Sequence, residues 1–125
     1  MKIAITSTGT NLNASVDPRF GRCAYFLIVE TGDMSFEAVD NPAGELGGGA
    51  GIQSAKLAAE RNVKAVLTGN CGPNAHQTLS AAGISVMTGL SGTVQEAIAL
   101  YLSGELATAS GPNVDSHAGM RAQER

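Results

Sequence analysis

Near residue 40 the hydrophobic pattern of this chain changes period, and that change constrains the fold more than any other feature. Before it, Lys2-Ile3-Ala4-Ile5-Thr6 and the run 24–29 are almost continuously apolar, as suits strands buried on both faces. Met34, Phe36 and Ala38 then alternate with Ser35 and Glu37, which predicts a half-exposed strand. Thr31-Gly32-Asp33 reads as the tight hairpin between them, with Gly32 available for a positive φ. After residue 40, helix and strand alternate. Ile52, Ala55, Leu57, Ala58 and Ala59 predict a helix over about 51–61, with Asn62 as its left-handed stop. Ala65-Val66-Leu67-Thr68 is a short apolar strand. Gly72-Pro73 opens a second helix, with proline at the favoured first position, and Gly83 ends it. Ile84-Ser85-Val86 is an alternating strand. Thr93 and Glu96 have capping-box spacing, followed by Val94, Ala97, Ile98 and Tyr101 at helical intervals.

The order is therefore βββαβαβα. The continuously apolar strands one, two and four belong inside the sheet, and the alternating strands three and five belong at its edges. Hairpins joining one to two and two to three, with right-handed crossovers to four and five, give the spatial order 3-2-1-4-5. Only strand two runs antiparallel. This is a ribonuclease H-like three-layer α/β fold. Residues 1–104 form one domain, and the Ala/Ser/Gly-rich residues 105–125 are expected to be a disordered tail, whose His117 and Met120 could reach a soft metal, although a lone His in a polar tail is usually solvated.

Composition narrows the function. The chain has 125 residues, enough for one domain with a full core and short for two. Its formal net charge is −3, and it has no Lys/Arg run beyond Arg19 and Arg22, which argues against a nucleic-acid partner. The absence of a long apolar run or a signal-peptide core predicts a cytoplasmic protein without membrane contact. Cys23 and Cys71 are read as free thiols. No CxxC or HxxxH spacing is present for an ordinary four-ligand zinc site.

In the derived topology the C-terminal ends of strands one, three, four and five share one edge of the sheet, where open α/β sheets bind ligands. The loops leaving them cover 7–22, 41–50, 69–73 and 88–92. The first is a roughly 15-residue connection without periodicity, a length that is functional or disordered. It ends in Asp17-Pro18-Arg19-Phe20-Gly21-Arg22-Cys23, a mixture suited to an anionic, polarizable ligand. Internally, Asp17 could instead pair with Arg19 or Arg22, and Phe20 could plug the core. Gly47-Gly48-Gly49-Ala50-Gly51 precedes a helix, so its backbone N–H groups favour an anion. It is neither a Walker A motif nor GxGxxG, and the alternative is a ligand-free turn. Asn70-Cys71-Gly72-Pro73-Asn74-Ala75-His76 opens the second helix. A helix N-terminus lowers a thiol pKa, and it favours the neutral imidazole that binds metals. The bland alternatives are a buried Cys71 and a solvent-facing His76. A ribonuclease H-type nuclease would need several carboxylates around two metals, whereas Asp17 and Glu45 are the only acids in these loops.

Asp-Pro-Arg-Phe-Gly-Arg at 17–22, Asn41-Pro42, Gly49-Ala50-Gly51, Thr68-Gly69, Gly72-Pro73 and Ala82-Gly83-Ile84 together resemble the dinitrogenase iron-molybdenum cofactor biosynthesis family. The likeness covers about residues 1–104, in the same order and spacing. It implies non-enzymatic binding, storage or delivery of a molybdenum-containing metal–sulfur cluster, of iron–molybdenum–sulfur or molybdenum–copper sulfide type. Its partners would be donor or acceptor proteins of cofactor assembly. The implied cofactor-binding residues are Arg19, Phe20, Gly21, Arg22, Gly49, Ala50, Gly51, Asn70, Gly72, Pro73 and Asn74, with Cys71 and His76 as candidate metal ligands. The competing expectation is a small enzyme or phospho-ligand-binding domain using the Gly-rich loop with Cys71 and His76.

Overall fold

The computed structural model describes residues 1–45, 48–109 and 111–113. Its strands are β1 (Lys2–Ser7), β2 (Tyr25–Glu30), β3 (Phe36–Asp40), β4 (Ala65–Leu67) and β5 (Ser85–Met87). Its helices are α1 (Ala50–Glu60), α2 (Pro73–Ala81) and α3 (Val94–Leu102), and a 3-10 turn, Pro42–Glu45, follows β3. The sheet order is β3-β2-β1-β4-β5. β2 is antiparallel to both neighbours, while β1, β4 and β5 are mutually parallel. The order and directions expected from strand texture are those observed.

Register explains why the inner strands are apolar throughout. Ala4, Phe26, Ile28, Val66 and Val86 form one face and pack against Ala55 and Ala58 of α1 and Ala75 and Leu79 of α2. Ile3, Ile5, Leu27, Val29, Leu67 and Met87 form the other, beneath Val94, Ala97 and Ile98 of α3. Alternate side chains of one strand point to opposite faces, and here both faces are covered. The small alanines let the helices approach closely.

The helix ends follow the sequence. Asn62 and Gly83 take φ of 60° and 79°. Thr93 Oγ1 accepts from Glu96 N–H at 3.1 Å, and Glu96 Oε1 accepts from Thr93 N–H at 2.9 Å.

Three local expectations change. The positive φ of the β2–β3 turn belongs to Met34 (63°), not Gly32. Asp33 Oδ1 accepts from both the N–H (3.0 Å) and the hydroxyl (2.7 Å) of Ser35, and Met34 N–H donates to Glu30 O at 2.7 Å, which closes the turn one residue later. In β3 the inward residue is Val39, paired with the buried Phe26, while Phe36 is 41% exposed. Phe36 and Ala38 share the face of Leu27 and Val29, which α3 covers over β1 but not at this edge. The loop after β3 contains the 3-10 turn rather than only Gly-rich coil, and Gly47 lies outside the described residues.

The segment expected to be a tail is hydrogen-bonded where it is described. Ala109 N–H donates to Val86 O at 2.7 Å, and Asn113 N–H donates to Cys71 O at 3.1 Å. His117 and Met120 lie outside the described residues.

Candidate functional site

The connection after β1 is ordered by backbone bonds within itself, to β1 and to the loop at Gly92. Thr8 N–H donates to Ser15 O (3.0 Å), Val16 N–H to Gly92 O (2.8 Å) and Asp17 N–H to Thr6 O (2.9 Å). Beneath it, the buried Thr6 hydroxyl donates to the Asp17 carbonyl at 2.7 Å and lies 2.9 Å from Thr68 Oγ1. The arginine-bearing part then runs beside the loop that leaves β4. Phe20 N–H donates to Asn70 O (3.1 Å), and Asn70 N–H donates to Pro18 O (2.8 Å). This pairing requires glycine at 69, where a Cβ would lie 2.8 Å from Pro18 Cα.

A second close approach joins the same segment to the start of α1, and through it to α2. A Cβ on Gly21 would meet the Gly51 nitrogen at 2.9 Å, and a Cβ on Gly51 would meet Ala75 Cβ at 3.2 Å. Gly21 therefore packs backbone to backbone on the start of α1, and α1 packs on the start of α2 with only the Ala75 methyl between them. Asn41 and Ser54 hold this junction from below. Asn41 Nδ2 donates to Gly21 O (3.3 Å) and Cys23 O (3.0 Å), and Ser54 Oγ donates to Gly21 O at 3.1 Å. Asn41 Oδ1 in turn accepts from Ala43 N–H at 3.2 Å. Both side chains are buried and satisfied, as burial of polar groups demands. Asn41 was visible in the sequence only as part of a motif. Ser54 carried no signal beyond being a small polar residue within an apolar helix face.

Charge at the junction is positive. Asp17 is buried, and its Oδ1 accepts from Arg19 N–H at 3.0 Å and lies 3.5 Å from Arg19 Nε. Its role is to shape the loop. The Arg19 side chain remains 60% exposed, and Arg22 is exposed. The two helix starts add partial positive charge. Among the described residues, neither α1, preceded by Gly49 at φ 75°, nor α2, preceded by Gly72 with Pro73 at its first position, has a side-chain cap or a first-turn acid. By contrast, α3 has the complete Thr93–Glu96 box. Gly49 and Asn74 are exposed, Gly51 and Pro73 half-buried, and Ala50 buried.

Phe20, Cys71 and Cys23 are buried, and His76 is half-buried. Phe20 is only 2% exposed and makes an edge-on contact with Phe26, with ring centroids 5.5 Å apart. Its ring plugs the core, at a typical value of about 3–5 kcal/mol for such a side chain. Cys71 is fully buried, and burial pushes its thiol up to about 11. Burial, which disfavours the charged thiolate, sets the direction of this shift, opposite to the lowering expected from the neighbouring helix start. Cys23 is pushed up to about 12, first by burial and then by the charge of Asp17, against a hydrogen bond from Asn41. His76 is half-buried, with Nε2 3.4 Å from Ala109 O and Nδ1 3.5 Å from Ser80 Oγ. Among the described residues no three of His, Cys, Asp and Glu come together as a metal-binding group. The site offers guanidinium groups and backbone N–H groups, a donor set that fits a polyanion rather than a bare cation.

The model of the dinitrogenase iron-molybdenum cofactor family matches residues 1–104, the part of the chain that builds this junction. The chain belongs to that family. It is 44% identical to the orange protein of Desulfovibrio gigas, whose apo structure superposes with a TM-score of 0.88 over 90% of this chain and 95% of that one. A Thermotoga protein of known solution structure is 36% identical, with a TM-score of 0.75 over 86% of this chain and 91% of its own. An uncharacterized protein of Methanocaldococcus jannaschii is 36% identical over 109 residues, 85% of this chain and 89% of its own length. No helix among the described residues is long and apolar enough to cross a membrane.

Proposed function

We propose that this chain binds, stores or delivers a molybdenum-containing metal–sulfur cluster in the cytoplasm, handing it between proteins of cofactor assembly without chemical turnover. The supporting observation is the meeting of the Arg19–Arg22 loop with two helix starts that lack side-chain caps and first-turn acids. A thiomolybdate-type cluster is a large, soft polyanion. Guanidinium groups and aligned backbone N–H groups balance its charge, and the open side of Gly49 lets sulfides approach the backbone, while Gly21 and Gly51 let the loop and helices close together beneath it. Arg19 and Arg22 are the principal charge partners in this reading. Gly49, Ala50, Gly51, Gly72 and Asn74 offer the backbone N–H groups of the cradle, and Asn70 and Pro73 line it without donating, since the Asn70 N–H is held by Pro18 O and proline has none. Cys71 packs the floor, and Phe20 supports it from the core. The match to the dinitrogenase iron-molybdenum cofactor family and the likeness to the orange protein support a molybdenum-containing cluster as the cargo. A nucleophilic Cys71 is disfavoured by its burial and its raised pKa.

The test is titration of the folded protein with tetrathiomolybdate, with and without copper, followed by desalting and metal analysis. Bound molybdenum with charge-transfer absorption is expected. The double substitution of Arg19→Ala and Arg22→Ala should weaken binding by about tenfold or more, as expected for lost charge-assisted hydrogen bonds. Folded protein that retains no molybdenum would sink the reading. Full competition by inorganic phosphate at equal concentration would favour a phospho-ligand site instead.

A further inference from the structure

We propose that the residues after α3 up to Asn113 are a working part of the site: Asn113 is a positioning residue that clasps the Gly69–Cys71 loop, and its docking favours cargo binding at the arginine loop, which pairs with the loop's other edge. The inference deepens the function proposed above and rests on it for the cargo. The clasp itself rests on geometry.

In the loop leaving β4, neighbouring residues turn their peptide groups to opposite edges, as in any extended segment. Asn70 turns both its N–H and its C=O to the arginine loop, through Pro18 O and Phe20 N–H. Cys71 turns both of its groups the other way, to Asn113. Cys71 N–H donates to Asn113 Oδ1 at 2.7 Å, and Asn113 N–H donates to Cys71 O at 3.1 Å. Asn113 Nδ2 also lies 3.1 Å from Gly69 O and 3.1 Å from Asn70 Oδ1. One residue thus bonds to all three members of the loop.

The neighbouring strand does not continue along this edge. β5 ends at Met87. Gly89 N–H still reaches Gly69 O at 2.8 Å, but by Gly92 the chain pairs with Val16 on the other side of the site. Asn113 takes up the ladder where β5 leaves it. Leu106 packs against the core under α3, and Ala109 N–H bonds to Val86 O at 2.7 Å. The Ala109 carbonyl lies 3.4 Å from His76 Nε2, in the first turns of α2. These contacts bring residue 113 to the loop.

The chemistry at 113 is specific to a carboxamide, which supplies an acceptor and a donor without charge. Alanine would leave Cys71 N–H without this acceptor. Aspartate would keep the acceptor, lose the donor, and add negative charge beside a site for an anion. Because Asn113 is exposed, the clasp opens locally rather than with the whole domain. A loop held in its binding geometry costs less to order around cargo, and by linkage bound cargo strengthens the clasp.

The experiment compares the full chain with Asn113→Ala and Asn113→Asp. Without cargo, amide hydrogen exchange at Cys71 should rise about tenfold in Asn113→Ala, the worth of one hydrogen bond. It should stay near wild type in Asn113→Asp, with the Ile5 and Phe26 amides unchanged in both as a check on folding. Titration with tetrathiomolybdate should then show affinity lowered about three- to tenfold in both variants. The charge-transfer bands of the bound anion should shift in Asn113→Ala as the loop moves. Unchanged Cys71 exchange in Asn113→Ala overturns the clasp. Faster exchange with unchanged affinity and bands overturns the positioning role and leaves a purely structural contact. Failure of the wild-type chain to bind tetrathiomolybdate overturns the cargo reading and the positioning role with it, while exchange at Cys71 still decides the clasp.

Discussion

Replacing Gly21 by alanine tests the stacked junction at its narrowest point. The backbone at 21 is not in the left-handed region, so alanine brings no conformational penalty there. The added methyl is the whole perturbation. It would sit 2.9 Å from the Gly51 nitrogen and 3.0 Å from Gly51 Cα, where ordinary contact begins at 3.4 Å. The obstacle is backbone at the first turn of α1, and Gly51 is itself closed in by Ala75 of α2. About half an ångström must therefore come from separating the arginine loop from the helix. Overpacking of this kind costs about 1–3 kcal/mol. Against it stands the entropy that alanine removes from the unfolded chain, about 0.4–1 kcal/mol. The net expectation is a loss of about 1–2 kcal/mol, or roughly 4–8 °C in Tm. Urea titration followed by circular dichroism reads it as a lowered midpoint with an unchanged slope. Gly32→Ala is the control, because its Cβ would meet only Glu30 Oε2, at 3.8 Å. There the entropy gain should appear alone, as a small stabilisation. A Gly21→Ala protein as stable as wild type, or more so, would refute the claim that the arginine loop packs backbone to backbone on the start of α1.

Asn41→Ala removes the donor to Gly21 O and Cys23 O and the acceptor of Ala43 N–H, and should cost about 1–3 kcal/mol in urea titration. Ser54→Ala should cost less, about 0.5–1.5 kcal/mol, because Gly21 O keeps Asn41. The double mutant should be non-additive, and strict additivity would mean that the two side chains do not act on one carbonyl. Cys71→Ala should change how stability depends on alkali. With the folded pKa raised from 9.0 to about 11, the thiol's contribution is complete below pH 9.0 and is lost as pH rises through about 11. In that window the unfolded chain has already released the proton that the native chain retains. The decline in urea midpoint across the window should therefore be shallower in Cys71→Ala, and an identical slope would contradict the burial of this thiol.

Most of the topology was legible in the sequence because it depends on local periodicity. A strand covered on both faces must be apolar throughout, which distinguished β1, β2 and β4 from the edges and led directly to the order β3-β2-β1-β4-β5. Helix punctuation at Asn62, Pro73, Gly83 and the Thr93–Glu96 pair was equally local. The inward face of β3 was not legible. Alternation cannot tell which face has a covering layer, and it favoured Phe36 where the register chose Val39. The same limit applies at the site. Arg19, Arg22 and the two glycine-bearing helix starts stood out by residue type. Phe20 and Cys71 looked equally chemical, yet their side chains belong to the core.

The sequence by itself determined the strand order, the helix ends and the edge of the sheet where the loops gather, since each follows from periodicity and from residues with special backbone preferences. Only the tertiary structure decided which groups at that edge face outward. Solvation of a thiol, satisfaction of a buried amide and the clearance of a missing Cβ depend on neighbours far apart in the chain. Asn41 reaches Gly21 across 20 positions, and Asn113 reaches Cys71 across 42. No local pattern encodes such distances. The same packing that buried Cys71 left Arg19 exposed beside two uncapped helix starts.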